Sequence, residues 1–222
     1  MLGDENNNDL IDLTSIDRAK CALLVIDELG DPTGGPLEPV LLPAIQQTAK
    51  LTTAARAVGM PVVFTNDAHL PGIDRELALW GAHGIAGTPE AQTSPLLDPQ
   101  PTDYVVEKRR YSGFFQTGLL LLLNELDVDT LICCGMDTNI CVKHTVADAY
   151  FNNFNIIVVG DATARFAWNL LSDAERERLA AVAREPVPAA PETSAQTPDA
   201  AAPSPASSVA EGMEKAAEGA GR

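Results

Sequence analysis

Apolar residues in this chain gather into short unbroken runs, separated by longer stretches with helical spacing. Ala22-Leu-Leu-Val-Ile-Asp27 is the first run, and it ends in a carboxylate. Pro61 to Thr65, Asp103 to Lys108, Thr130 to Gly135 and Asn155 to Asp161 repeat the pattern. Runs of this length without polar alternation predict strands buried on both faces. Between them, Leu41 to Val58 has helical periodicity and stops at Gly59, a residue suited to the left-handed turn that closes a helix. Leu119 to Leu126, Cys141 to Asn152 and Ser172 to Val182 read as further helices, the last capped by Ser172. Strands alternating with helices predict an α/β fold with a mostly parallel sheet covered on both faces. Ligands of such sheets bind beyond the carboxyl ends of the strands. Asp27, Asp67, Lys108, the stretch Gly135 to Cys141, and Asp161 stand at those ends.

Composition changes toward both ends. Residues 1–18 are acidic and Asn-rich and are expected to be loose, 19–183 carry the strand and helix pattern, and 184–222 form an Ala/Pro-rich tail expected to be disordered. The first residues lack the basic start and apolar stretch of a signal peptide. The apolar run Cys21 to Ile26 is far short of the ~20 residues a membrane-spanning helix needs. Fifteen basic residues against thirty-one acidic ones give a formal charge of -16. Such a field repels phosphate backbones and anionic lipid, which excludes nucleic acid and membrane surfaces as expected partners. The four cysteines, at 21, 133, 134 and 141, show no paired spacing, and reduced thiols imply a cytoplasmic setting. Cys21, Cys133 and Cys134 lie inside apolar runs and read as small core residues. Cys141 instead follows the polar lead-in Asp137-Thr138-Asn139.

A thiol at the start of a helix feels the positive end of the helix dipole, which is expected to lower its pKa. A packed core cysteine is the alternative for Cys141. A nucleophilic thiol needs a proton acceptor and a group that holds charge, and no histidine stands in an obvious base position. Taken singly, Asp27 reads as a cap and Lys108 as a surface lysine. Taken together, they put one carboxylate, one ammonium and one thiol at the same edge of one sheet.

Leu23-Leu-Val-Ile-Asp27, Glu107-Lys108-Arg-Arg-Tyr-Ser-Gly-Phe-Phe-Gln-Thr117 and Gly135-Met-Asp-Thr-Asn-Ile-Cys141-Val resemble the three motifs of the isochorismatase-like cysteine hydrolases, in order and spacing. Gly160-Asp-Ala-Thr163 is also similar to the family pattern. The resemblance implies a three-layer α/β fold with a mostly parallel sheet of five or six strands, although nothing after Val182 looks like a sixth. It implies a covalent thioester route to cleaving a small amide or ureido C–N bond, with Cys141 as nucleophile, Asp27 as proton acceptor and Lys108 orienting it. The backbone N–H groups of Asp137 and Cys141 would form the oxyanion hole, behind a cis peptide before Asp137. Relatives often carry a small apolar residue at that position, so Asp137 is a departure.

Asp67, His69 and His83 resemble the metal-binding triad of nicotinamidases, which implies one divalent ion, Zn, Mn or Fe. The nicotinamidase pattern after the tryptophan is replaced here by Trp80-Gly-Ala-His83-Gly84. His144 lies one helical turn from Cys141 and reads as a packing or interface residue. Arg109 and Arg110 read as surface salt-bridge formers. Relatives form dimers and tetramers, so a homo-oligomer acting on a small amide is the expectation. Two alternatives share the fold: a vinyl-ether hydrolase acting on isochorismate, which needs no thiol, and a non-catalytic binding subunit.

Overall fold

Cys21–Ile26 forms strand β1, the middle of a sheet whose every strand pairs in parallel. In the computed structural model, which describes residues 16–165, β1 lies between β2 (Val62–Asp67) and β4 (Thr130–Met136). Strand β3 (Tyr104–Lys108) flanks β2, and β5 (Asn155–Ala164) flanks β4, giving the order β3-β2-β1-β4-β5. The helix expected over 172–182, any sixth strand, and nearly all of both terminal segments lie outside the described residues.

The unbroken apolar run of β1 has a direct cause. Side chains alternate across a strand, and here both faces are covered. Ala22, Leu24 and Ile26 pack with Leu119 and Leu123 of α3 (Leu119–Glu125) and Ala149 of α4 (Lys143–Phe151). Leu23 and Val25 face Ile45 and Ala55 of α1 (Glu38–Ala57). Each fully buried side chain of this size contributes roughly 1.5–3 kcal/mol. Cys133 and Cys134, neighbours on β4, fall into opposite cores, and Cys21 is buried as well, so all three act as small apolar residues.

Helix α1 begins three residues earlier than its apolar periodicity suggests, with a proline in its first turn, and it stops before Gly59 at φ 72. The chain moves outward from β1 through β2 to β3, then returns through α3 to β4 on the other side of β1. Sheets that reverse in this way bind ligands beyond the strand ends at the reversal, here those of β1 and β4. Gly135 makes close pairing possible there. It has φ 113, and a Cβ would stand 2.0 Å from the carbonyl oxygen of Ile26.

The helix expected from Cys141 does not start at that residue. A wide π-type turn occupies Thr138–Val142 and α4 follows it. A short helix, α2 (Glu76–Trp80), crosses the loop after β2. Among the described residues no helix is long and apolar enough to cross a membrane.

Candidate active site

Three strand ends and one turn converge on Lys108. Its Nζ lies 2.7 Å from Asp27 Oδ2, 2.5 Å from Asp67 Oδ1 and 3.7 Å from Cys141 Sγ. The lysine, read on its own as a surface residue, is 1% exposed. Register explains the convergence: Asp67 pairs with Lys108 at the ends of β2 and β3, while Asp27 follows β1 directly. Asp27 adopts φ 50, its N–H donates to the Thr65 carbonyl (2.9 Å), and its Oδ1 accepts the Asp67 N–H (2.9 Å). A cap role accounts for none of the lysine contact. Polar atoms of Asp27, Asp67 and Cys141 all lie within 4.8 Å of one another.

The electrostatics follow from two carboxylates sharing one buried cation. Burial works against the charge on Lys108, but Asp27 and Asp67 outweigh it and keep its pKa above the ordinary lysine value. Burial, and then the charge of Asp67, push Asp27 up to about 7 against the pull of Lys108. Burial also acts to raise Asp67, yet His69 and Lys108 hold its pKa below the usual carboxylate value. Cys141 departs from expectation. Burial and the Asp27 charge push its thiol well above the ordinary value, against Lys108, and any dipole effect of the following helix is outweighed. The resting group is therefore a thiol. Moving its proton to Asp27 leaves the net charge of the cluster unchanged, which a buried site tolerates far better than losing the proton to solvent.

A second cluster adjoins the first through Asp67. Its Oδ2 stands 3.6 Å from His69 Nε2, and Glu76 Oε2 stands 3.6 Å from the same nitrogen. His69 Nδ1 is 3.5 Å from Asp74 Oδ2. His69 is wholly buried, yet neither ring nitrogen has a hydrogen-bond partner, and Glu76 Oε2 is equally orphaned. Ligand atoms of Asp67, His69 and His83 lie within 4.8 Å of one another. His83 Nδ1 faces the Gly81 carbonyl at 2.9 Å, so that nitrogen is the donor and Nε2 is the nitrogen left for a ligand. Gly84 permits this approach: it has φ +49, and a Cβ would meet the Cβ of Asp67 at 2.8 Å. His69 brings a ring nitrogen without a hydrogen-bond partner to the group it forms with Asp67 and His83, a nitrogen and oxygen donor set that fits a divalent cation.

Arg109 is more than a surface residue. Its guanidinium grips Asp74, with Nε 3.1 and 3.0 Å from the two carboxylate oxygens and one terminal nitrogen 2.5 Å from Oδ1. That contact holds the buried Asp74 far below the carboxylate range. Arg110 reaches the same carboxylate at 3.5 Å. Asp74, Glu76 and Glu28 escaped the sequence reading, because acids in a loop read as solvated charges. Arg109 and Arg110, two cations directly after Lys108, were the available hint of a buried acid.

Asp137 sits at the entry to the turn, after a cis Met136–Asp137 peptide, and its carbonyl accepts the N–H groups of Ile140 and Val142. His144 is exposed, bonds the Ile140 carbonyl through Nδ1 at 2.7 Å and leans on the Tyr111 ring. Asp161 is exposed within β5, which runs on past it, and so stands apart from the strand end expected for it.

A family model described as the isochorismatase domain matches residues 21–190. The chain belongs to the isochorismatase family. Among curated relatives, ureidoacrylate amidohydrolase of Methylobacterium radiotolerans is 35% identical over 141 residues, covering 54% of this chain and 55% of the relative. Maleamate amidohydrolase of Pseudomonas putida is 34% identical over 149 residues, covering 63% and 70%. The chain thus spans about half the length of the ureidoacrylate amidohydrolases it matches. Among solved structures of isochorismatase-like fold, N-carbamoylsarcosine amidase from Thermoplasma acidophilum superposes with TM-score 0.63 at 35% identity, over 73% of this chain and 92% of the other. Nicotinamidase from Bacillus subtilis gives 0.60 at 31% identity, over 73% and 93%.

Proposed function

We propose that this isochorismatase-family protein hydrolyses a small amide or ureido C–N bond through a thioester on Cys141. The observation that carries the reading is the buried Lys108, in contact with Asp27, Asp67 and the Cys141 sulfur at once. Asp27 takes the Sγ proton as the sulfur adds to the substrate carbonyl. The oxyanion is stabilised by the backbone N–H groups of Asp137 and Cys141. Collapse breaks the C–N bond, and the leaving nitrogen takes the proton from Asp27. Water then adds to the thioester, giving its proton to Asp27, and the second collapse expels the sulfur, which recovers that proton. Lys108 keeps Asp27 in place and keeps the charge of the pair balanced throughout. The names of the relatives, all of them amide or ureide hydrolases, support the same bond class.

Asp67, His69 and His83 would hold one divalent metal ion, Zn, Mn or Fe, which when bound offers a positive charge to a lone pair of the substrate. Asp74 and Arg109 orient His69 from behind. The domain is read as 19–183, with flanking segments 1–18 and 184–222. The protein is read as a cytoplasmic homo-oligomer; exposed Leu121, Tyr150 and Phe151 support a subunit contact.

The test is ammonia release from nicotinamide and a panel of small amides and ureides, with and without added Zn or Mn. Release that disappears in a folded Cys141→Ala variant is expected. Silence across the panel, together with a Cys141 inert to iodoacetamide, would count against the thioester route and favour vinyl-ether chemistry or a binding role.

A further inference from the structure

Asp67 serves both clusters, and it faces them with different atoms. Its Oδ1 holds the Lys108 ammonium at 2.5 Å, while its Oδ2 stands 3.6 Å from His69 Nε2. Its backbone N–H donates to Asp27 Oδ1 at 2.9 Å.

The backbone ties the clusters together as closely as the side chain does. The Ala68 N–H donates to the Lys108 carbonyl at 2.8 Å. One residue on, the His69 N–H donates to the Gly84 carbonyl at 2.7 Å, and the His69 carbonyl accepts the Ala86 N–H at 3.0 Å. Residues 67–69 are thus held between β3, which brings Lys108, and the loop that brings His83. With Gly84 packed against its Cβ, Asp67 meets both clusters from one fixed place.

Charge then makes each cluster sensitive to the other. Lys108 is buried and is balanced by Asp27 and Asp67 together. A divalent ion on Asp67, His69 and His83 would draw on the same carboxylate, and buried like charges are poorly screened from each other. We propose that Asp67 couples the metal site to the nucleophile cluster: Lys108 and the ion compete for its charge. When the site is filled, Lys108 gives up part of its hold on Asp67, and its charge passes to Asp27 and the Cys141 sulfur. The inference rests on the reading of Asp67, His69 and His83 as a metal site. Coupling between sites is reciprocal, so a change in the hold of Lys108 on Asp67 must appear as a change in metal affinity.

The test is calorimetric titration of the full chain with Mn at pH 8, after chelation and dialysis. Mn favours carboxylate over thiol, which keeps it from the Cys141 sulfur. In Lys108→Met the competitor is gone, and affinity is expected to rise by roughly 5–150-fold, the ordinary size of such coupling. In Asp27→Asn, Lys108 has lost its other anion and holds Asp67 alone, so affinity is expected to fall. Opposite shifts separate coupling from mere bracing, because damage to the fold would weaken uptake in both variants. Unchanged affinity in Asp27→Asn, or a fall in a folded Lys108→Met, would overturn the coupling and leave the metal site standing. Should Lys108→Met fail to fold, a fall in Asp27→Asn upholds the coupling where its urea midpoint matches the wild type. No uptake by the wild type would remove the metal site, and the coupling with it.

Discussion

Replacing Lys108 by Met keeps most of the buried stem and removes only the charge that Asp27 and Asp67 share. Two carboxylates then face each other in a dry site, and removing one partner of a buried ion pair costs about 3–5 kcal/mol. The cost should depend on pH, because a proton can take the place of the lost ammonium. In the variant, one acid has a folded pKa raised above its unfolded value. Its stability contribution is therefore present at low pH and is lost as pH rises through the folded pKa. In the wild type, Lys108 is raised above 10.5, so its contribution is constant from pH 5 to 8. Asp67 is lowered below 3.8, so its own contribution fades only in stronger acid. Asp27, already raised to about 7 in the wild type, holds its proton below that pH in both proteins. The difference should thus be near 3–5 kcal/mol at pH 8, shrink by at most about 1.4 kcal/mol on going to pH 7, and stay level from there to pH 5. Urea unfolding followed by tryptophan fluorescence at pH 8 and pH 5 measures it. A penalty below about 1 kcal/mol at pH 8, or an equal penalty at both, would refute the picture of two acids balanced on one lysine.

Turnover should rise through pH about 7, because Asp27 must be ionised to accept the thiol proton; Asp27→Asn should remove that rising limb and lower kcat by roughly 10²–10⁴-fold. Gly135→Ala drives a Cβ into the Ile26 backbone, and an unfolding free energy in urea lowered by at least ~3 kcal/mol, or loss of folded protein, is expected. After chelation and dialysis, the wild type should take up one equivalent of Zn or Mn by calorimetry. His69→Ala should abolish the uptake, and unchanged uptake in that variant would remove the second cluster as a metal site.

The core strands were legible because burial on both faces writes itself into sequence as an unbroken apolar run, as in Cys21–Ile26. The main cluster was legible for a related reason: strand ends in a parallel sheet share one edge, so Asp27 and Lys108 could be placed together before any distance was known. The double engagement of Asp67 was not legible. Its role beside Lys108 comes from the β2–β3 register, which no local pattern encodes. Nor could sequence place Asp74 and Glu28 in the interior. One is buried because Arg109 folds back over it, the other because α1 presents Thr48, and both depend on contacts distant along the chain. The thiol of Cys141 was misjudged for a similar reason. A helix start is visible in sequence, but two nearby carboxylates are brought in by other strands.

The central place of β1 also shapes how the molecule comes into being. The strand is made before the other four and is the most apolar of the five, yet one of its two neighbours, β4, is not complete until Met136. Synthesis at ~5–20 residues per second leaves that flank unpaired for roughly 5–20 s. During this interval a greasy strand offers an open row of backbone donors and acceptors, a template for the wrong partner. Slower translation between β3 and β4, or shortage of chaperones, should therefore lower the yield of soluble protein without altering the finished fold.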